Sequence, residues 1–397
     1  MREGSALEVL LTFLKLGVTS FGGPVAHLGY FREEIVVRRH WIEDAAYSDL
    51  VALCQFLPGP ASSQVGFALG LIRAGYLGGL AAWVGFTLPS AVLMVAFAFG
   101  AGAISGPAGA GLLHGLKLVA VAVVAQAVWG MARTLCPDRQ RAVIAALVLA
   151  LIVWGDTWRL QLVAIGVGGA LGWWLCRTPL ATTLGTLGVP VSRGVGFLSL
   201  SMFFGLLIGL PLLASMSSLK GVALFDAFYR SGALVFGGGH VVLPLLRDAV
   251  VTPGWVSESA FLAGYGAAQA IPGPLFTFSA YLGAVVAPQP NGIDGAALAL
   301  VGIFLPGILI LIGTLPFWDT FRSRIGAQAA MRGVNAAVVG LLGAALYNPV
   351  WTSSVHNSVD VGLVVIGFVL LIYWRTPPIA IVVLGAVGGA LLSSLTS

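Results

Sequence analysis

The sequence predicts an all-α polytopic membrane protein built from two inverted-topology repeats of six hydrophobic elements, joined by a linker transmembrane helix. Three observations predict it. Of the 397 residues, 58% are apolar and 9% are charged, against about 25% charged in an ordinary soluble domain, so the chain cannot furnish a solvated surface. Apolar stretches of roughly spanning length, about 20 residues, follow one another with only short polar joints. The same residue marks also return in the same order about 215 residues later, which is how an internal repeat reads.

Thirteen hydrophobic elements are expected at 6–22, 45–73, 78–104, 111–133, 142–156, 159–176, 197–216, 222–246, 258–286, 296–317, 328–347, 360–374 and 377–395. They divide into an N-terminal repeat over 1–180, a linker with one transmembrane helix over 181–218, and a C-terminal repeat over 219–397. The first element carries Lys15 and ends at Ser20-Phe21-Gly22-Gly23-Pro24, where the glycines let the backbone turn. Arg2, Glu3, Glu8 and Lys15 interrupt the apolar run that a signal peptide needs. Residues 31–41 are amphipathic and mixed in charge, so they are expected to lie in the interface with Trp41 at the headgroups. The second element breaks at Pro58-Gly59-Pro60, because proline removes amide donors and disfavours helix in the residue before it.

The second half repeats these marks. Phe21-Gly22-Gly23 returns as Phe236-Gly237-Gly238, and Pro58-Gly59-Pro60 as Pro272-Gly273-Pro274. Trp41 and Trp255 each stand 17 residues ahead of their Pro-Gly-Pro, and Gln55 and Gln269 each stand three ahead. Val84-Gly85 to Leu88-Pro89 matches Val301-Gly302 to Leu305-Pro306, and Gly168-Gly169-Ala170-Leu171 matches Gly388-Gly389-Ala390-Leu391.

Loop charges give the orientation of the halves, since Lys and Arg gather on the cytoplasmic side. Loop 104–111 has neither, and the next loop holds Arg133, Arg139 and Arg141. The matching loops of the second half reverse this: Arg322, Arg324 and Arg332 come first, and 348–360 has none. That reversal is the mark of an inverted repeat, with the N-terminus cytoplasmic and Arg159, Lys220 and Arg247 outside. The first two elements of each half are expected to be re-entrant hairpins bent at Phe-Gly-Gly and Pro-Gly-Pro. Full crossings in even number give the same outer topology.

Matched helix breaks in inverted halves point to a substrate site near the midplane. New helices start after each Pro-Gly-Pro, and a helix start offers free N–H groups and a positive dipole end to an anion. The candidate binding set in the first repeat is Lys15, Phe21, Gly22, Gly23, Gln55, Pro58, Gly59, Pro60, Ser62, Ser63 and Gln64. In the second repeat it is Arg230, Gly237, Gly238, His240, Gln269, Pro272, Gly273, Pro274 and Thr277. Lys15 and Arg230 each lie six residues before the Phe of their break, so a cation recurs where two of them would balance a dianion. His27 and His240 are candidate proton carriers. Cys54, Cys136 and Cys176 form no CxxC pair, so neither a disulfide framework nor a thiolate metal site is expected. No cofactor and no catalytic residue is expected, because HExxH, paired intramembrane aspartates and a nucleophile–base constellation are all missing from the sequence.

These motifs resemble the chromate ion transporter family in its two-domain form. The resemblance rests on Phe21-Gly22-Gly23-Pro24-Val25-Ala26-His27-Leu28-Gly29 with Phe31-Arg32, and on Leu53-Cys54-Gln55-Phe56-Leu57-Pro58-Gly59-Pro60-Ala61-Ser62-Ser63-Gln64. Phe236 to Pro244 and Gln269 to Pro274 are the second-half counterparts. The resemblance implies secondary active export of chromate from the cytoplasm across a bacterial inner membrane, driven by membrane potential or a proton gradient. Sulfate is the chemical look-alike, and a sulfate or other oxyanion permease is the related alternative. An intramembrane enzyme is the alternative of another class. Expected partners are the lipid bilayer and the oxyanion, with a homodimer as one possible assembly and nucleic acid not among them.

Overall fold

The structure is a computed structural model and describes residues 4–21, 23–101, 106–155, 158–177, 190–217, 219–235, 242–318 and 324–396. Every element is helical among these residues. The helices are α1 (Ala6–Thr19), α2 (Gly23–Phe31), α3 (Asp44–Phe56), α4 (Ala61–Ala101), α5 (Gly106–Leu135), α6 (Arg139–Trp154), α7 (Trp158–Leu175) and α8 (Arg193–Met216). They continue as α9 (Lys220–Ala233), α10 (Val242–Val250), α11 (Glu258–Ala268), α12 (Phe278–Val285), α13 (Gly292–Thr314), α14 (Ile325–Ala345), α15 (Ser358–Ile372) and α16 (Pro378–Thr396). Among the described residues, helices occur within each of the thirteen expected hydrophobic stretches; α1 ends before Phe21, α3 before Pro58 and α11 before Pro272, while Phe236-Gly237-Gly238 lies outside the described residues.

Local chemistry sets the ends. Ser5, Asp138, Ser192, Ser257 and Asn357 each accept a first-turn amide N–H from their own helix, satisfying a donor that would otherwise have no intrahelical partner. Among the described residues, five helical stretches are long and apolar enough to cross a membrane: 61–100, 109–135, 193–216, 292–317 and 325–348. The first of them is not one straight rod, because Ala74 and Gly75 leave helical geometry. A Cβ on Gly70 would run into the Gly78 carbonyl, so the two parts of α4 fold back on each other as a hairpin. The second half copies this with α12 and α13, where a Cβ on Gly283 would meet the Gly295 carbonyl. The legs beside the breaks are short. At about 1.5 Å per residue, the 13 residues of α3 and the 8 of α12 fall well short of a hydrocarbon core about 30 Å thick.

The chain forms two compact units, and each draws on both sequence halves. The first comprises 1–95, 180–242 and 271–323. One core joins Phe13, Phe31, Leu50, Leu53, Val65 and Phe86 to Leu311 and Leu315. A second cluster packs α8, α9 and α13 through Phe203, Tyr229 and Leu309. The second unit comprises 96–179, 243–270 and 324–397. Here small residues bring helix backbones together, as they do in membranes. Gly115 of α5 meets Gly385 of α16, and Gly333 of α14 meets Gly168 of α7. In repeat register α5 matches α14 and α7 matches α16, so these two packings are reciprocal.

Trp41 is packed within the protein. It is 7% exposed and lies under the guanidinium groups of Arg39 and Arg73, 5.6 and 5.2 Å from the ring centroid. The interfacial stretch continues α2 as a π-helix over Arg32–Arg38, and its ion pairs draw the tryptophan inward. Glu34 accepts from Lys15 and Arg39, and Glu8 from Arg73.

Candidate functional site

The first unit contains both Pro-Gly-Pro breaks and the residues leading into both Phe-Gly-Gly breaks, and joins them crosswise. Helix α1 ends because Ser20 turns to extended geometry. Helix α3 ends at Leu57, also extended, as a residue before proline prefers. Gly59 stands at φ +115 and Gly273 at φ +94, a region open to glycine and strained for other residues. The Gly59 amide donates to the carbonyl of Val235 at 2.7 Å, and the Gly273 amide donates to the carbonyl of Ser20 at 2.9 Å. Ser20 and Val235 are equivalent residues, each just ahead of the Phe of its own break. Each Pro-Gly-Pro is thus tied to the other half's Phe-Gly-Gly entry, the reciprocal contact that a two-fold relation produces.

A second reciprocal pair surrounds the first. A Cβ on Gly59 would lie 2.9 Å from Gly307 Cα, and one on Gly273 would lie 2.8 Å from Ser90 Oγ. Gly307 follows Pro306 and Ser90 follows Pro89, so these also are repeat equivalents. Pro58, Gly59, Pro60, Pro272, Gly273 and Pro274 are all buried.

The helix starts beyond the breaks are lined with buried hydroxyl and amide groups. Ser62, Ser63 and Gln64 are 3%, 4% and 1% exposed. His27 Nδ1 lies 3.4 Å from Ser62 Oγ, and its ring meets Phe86 edge-on at 5.2 Å. Gln64 Nε2 donates to the carbonyls of Pro58 and Gly307, both at 2.9 Å. Thr277 Oγ1 donates to the Pro274 carbonyl at 2.9 Å. Several buried polar atoms here have no partner among the described residues: Ser20 Oγ, His27 Nε2, Ser63 Oγ, Gln64 Oε1, Thr87 Oγ1 and Ser279 Oγ. Buried polar atoms are nearly always hydrogen-bonded, and these lie in one unit. The hydroxyls among them are neutral donors, while Gln64 Oε1 is an acceptor.

The remaining expected residues divide clearly. Lys15 pairs with Glu34 at 2.9 Å, and Arg230 with Asp226 at 2.8 Å. Each cation therefore already has a carboxylate, and direct contact with an anion would require that partner to be exchanged. Phe21 is half-buried and Gln55 exposed. Gln269 is half-buried and belongs to the second unit. Gly23 begins α2 at φ +79. Gly22, Gly237, Gly238 and His240 lie outside the described residues. No group of three His, Cys, Asp or Glu residues suited to a metal ion occurs among the described residues.

Sequence reasoning did not single out Ser20, Thr87, Ser90, Ser279 or Gly307, which the structure places beside the breaks or among the buried polar groups described above. Ser90 and Gly307 each follow the proline of the repeated Leu-Pro mark, and Thr87 stands two before it. The mark therefore carried a signal for the site, but only folding shows that it packs on the opposite half's break.

A family model described as chromate transporter matches residues 7–173 and 222–390. A chromate transport protein of Pseudomonas aeruginosa is 29% identical over 96% of this chain and 90% of its own length. A probable chromate transport protein of Synechococcus elongatus is 29% identical over 96% of this chain and 94% of its own. A chromate transport protein of Cupriavidus metallidurans is 27% identical over 84% and 80%. No solved structure matches the chain.

Proposed function

The chain belongs to the chromate transporter family, and from that premise we propose that it exports chromate from the cytoplasm by alternating access, as a secondary active transporter. The observation that carries the proposal is the crosswise pairing of the two broken segments beside buried hydroxyl groups that have no partner among the described residues. Chromate is a tetrahedral oxyanion, and its oxygens take hydrogen bonds from such donors. Ser62, Ser63 and Gln64, with Ser20, Thr87, Thr277 and Ser279, form the proposed binding set. The breaks at Pro58–Pro60 and Pro272–Pro274 let new helices start beside these groups and hold the groups in register. His27 is the proposed proton carrier. Lys15 and Arg230 reach the anion only by leaving Glu34 and Asp226.

Alternating access is supported by an asymmetry between equivalent arms. Residues 28–56 belong to the first unit, whereas their repeat equivalents 243–270 belong to the second. A two-fold molecule in which one arm is exchanged in this way has a mirror state in which the other arm has moved. Exchange between those states is rocking of one repeat against the other around a fixed site. Export is downhill for an anion under an inside-negative potential, by about 2.3 kcal/mol per charge per 100 mV. We place the chain in the bacterial plasma membrane with its N-terminus in the cytoplasm, from the loop-charge bias.

Expression in a chromate-sensitive bacterium should raise tolerance and lower cell chromium, and everted vesicles should accumulate chromate when energised. Unchanged tolerance with confirmed membrane insertion would refute export. Full competition by sulfate in the vesicles would favour a general oxyanion permease.

A further inference from the structure

Gln64 sits in the first turn of α4, 1% exposed, and both hydrogen bonds of its Nε2 go to backbone carbonyls, Pro58 and Gly307. A carbonyl only accepts, so the amide has a single orientation: a flip would set Oε1 against two oxygens. Oε1 is therefore an assigned acceptor, held in place at the crossing of a break with α13. It has no donor among the described residues. A buried acceptor without a donor is destabilising, so a guest that fits this site must bring a hydrogen of its own.

Resting on the chromate-transport reading, we infer that the species carried is the monoprotonated oxyanion, hydrogen chromate, with its acid O–H donated to Gln64 Oε1. Its remaining oxygens accept from the first-turn amides and from buried hydroxyls such as those of Ser63 and Ser20. The fully deprotonated dianion has only acceptor oxygens, and at this position it would set oxygen against oxygen. Chromate exchanges its acid proton near neutral pH, whereas sulfate and selenate have already lost theirs. The site thus separates tetrahedral look-alikes by the proton they carry, since a position built to bond a substrate hydroxyl strongly rejects the analogue lacking it. Each cycle moves one net negative charge, and the proton leaves with the chromate and dissociates from it outside.

The titratable and charged groups on the surrounding elements include His27 on α2, the Lys15–Glu34–Arg39 cluster, the Glu8–Arg73 pair, Asp49 beside Trp318, and the Asp226–Arg230 pair. A pH profile alone would mix their titration with that of the substrate, so the deciding measurements are made at one pH. The full chain is reconstituted in proteoliposomes with an imposed potential and chromate too dilute to form dichromate. Transported charge is then divided by transported chromium. The expected ratio is one, and phosphate, which keeps a proton, should compete at a concentration at least about tenfold below sulfate or selenate. Gln64→Leu, purified as a monodisperse protein, should lose that preference. Where this variant does not fold, the wild-type ratio and competition order decide. A ratio of two, with sulfate and selenate competing as well as phosphate, would overturn the inference and leave chromate transport standing. Absence of chromium flux at every pH would overturn the transport reading, and this inference with it.

Discussion

At Gly59 two demands meet in one residue: a positive φ, and a backbone approach that leaves 2.9 Å between a notional Cβ and Gly307 Cα. Gly59→Ala should therefore lower stability by about 1–3 kcal/mol and shift thermal unfolding in detergent accordingly. No single side-chain change relieves it, because the obstacle is backbone. Gly273→Ala differs, since the nearest obstacle is the Ser90 hydroxyl, and Ser90→Ala should return part of the loss. Asp226 and Arg230 raise a different residue-scale question. The Asp226 side chain is 5% exposed and that of Arg230 37%, so Arg230→Gln leaves a buried carboxylate without its partner. Breaking a fully buried pair costs about 3–5 kcal/mol, and the exposure of Arg230 makes the loss here smaller. Asp226→Asn with Arg230→Gln should recover the stability. If the double variant is also active in transport, Arg230 holds its helix and does not bind the anion.

Among the elements, α6 starts on a charge. Asp138 accepts the Arg141 amide at 2.9 Å and the Arg141 guanidinium at 2.7 Å, and these bonds hold its carboxyl below its ordinary value of 3.8. A depressed folded value means the contribution is complete above the unfolded value and is lost as pH falls through the folded one. Asp138→Ala should cost about 0.5–2 kcal/mol near neutral pH and progressively less below pH 3.8, read by hydrogen exchange in the first turn of α6. In the second unit α11 lies against α5 so closely that a Cβ on Gly266 would strike the Leu116 carbonyl. If α11 leaves α5 during turnover, Gly266→Ala should disfavour the packed state and raise exchange of the 258–268 amides. A protein with no such motion would show only lower stability.

For the whole molecule, the proposed inversion of the halves makes a prediction independent of substrate. Single cysteines replacing Arg139 and Arg324 should both label from the cytoplasmic side. Labelling from opposite faces would refute inversion and with it the proposed route of alternating access. The two compact units, each assembled from segments of both halves, show why neither half is expected to fold as a functional transporter alone. The reciprocal contacts at Gly59 and Gly273 and at Gly115 and Gly333 are made between halves, so a single half would expose the backbone and small-residue surfaces that its sibling covers.

The sequence by itself determined the helical membrane class, the thirteen hydrophobic stretches, the duplication and the places where helices break. All of these follow from local causes: transfer of apolar residues out of water, and the backbone chemistry of proline and glycine. Only the tertiary structure decided which break meets which. Local chemistry at Gly59 requires that its amide find an acceptor, but nothing near it in the chain says that the acceptor is Val235. The same holds for Lys15, which reads as a free intramembrane cation until folding brings Glu34 to it, whereas Arg230 finds Asp226 one turn away on its own helix, a spacing visible in the sequence. It holds also for Gln64, whose role depends on the carbonyl of Gly307, distant in sequence and adjacent in space. Pairings across long separations are set by packing of the whole chain, because their partners become neighbours only when both halves close on each other.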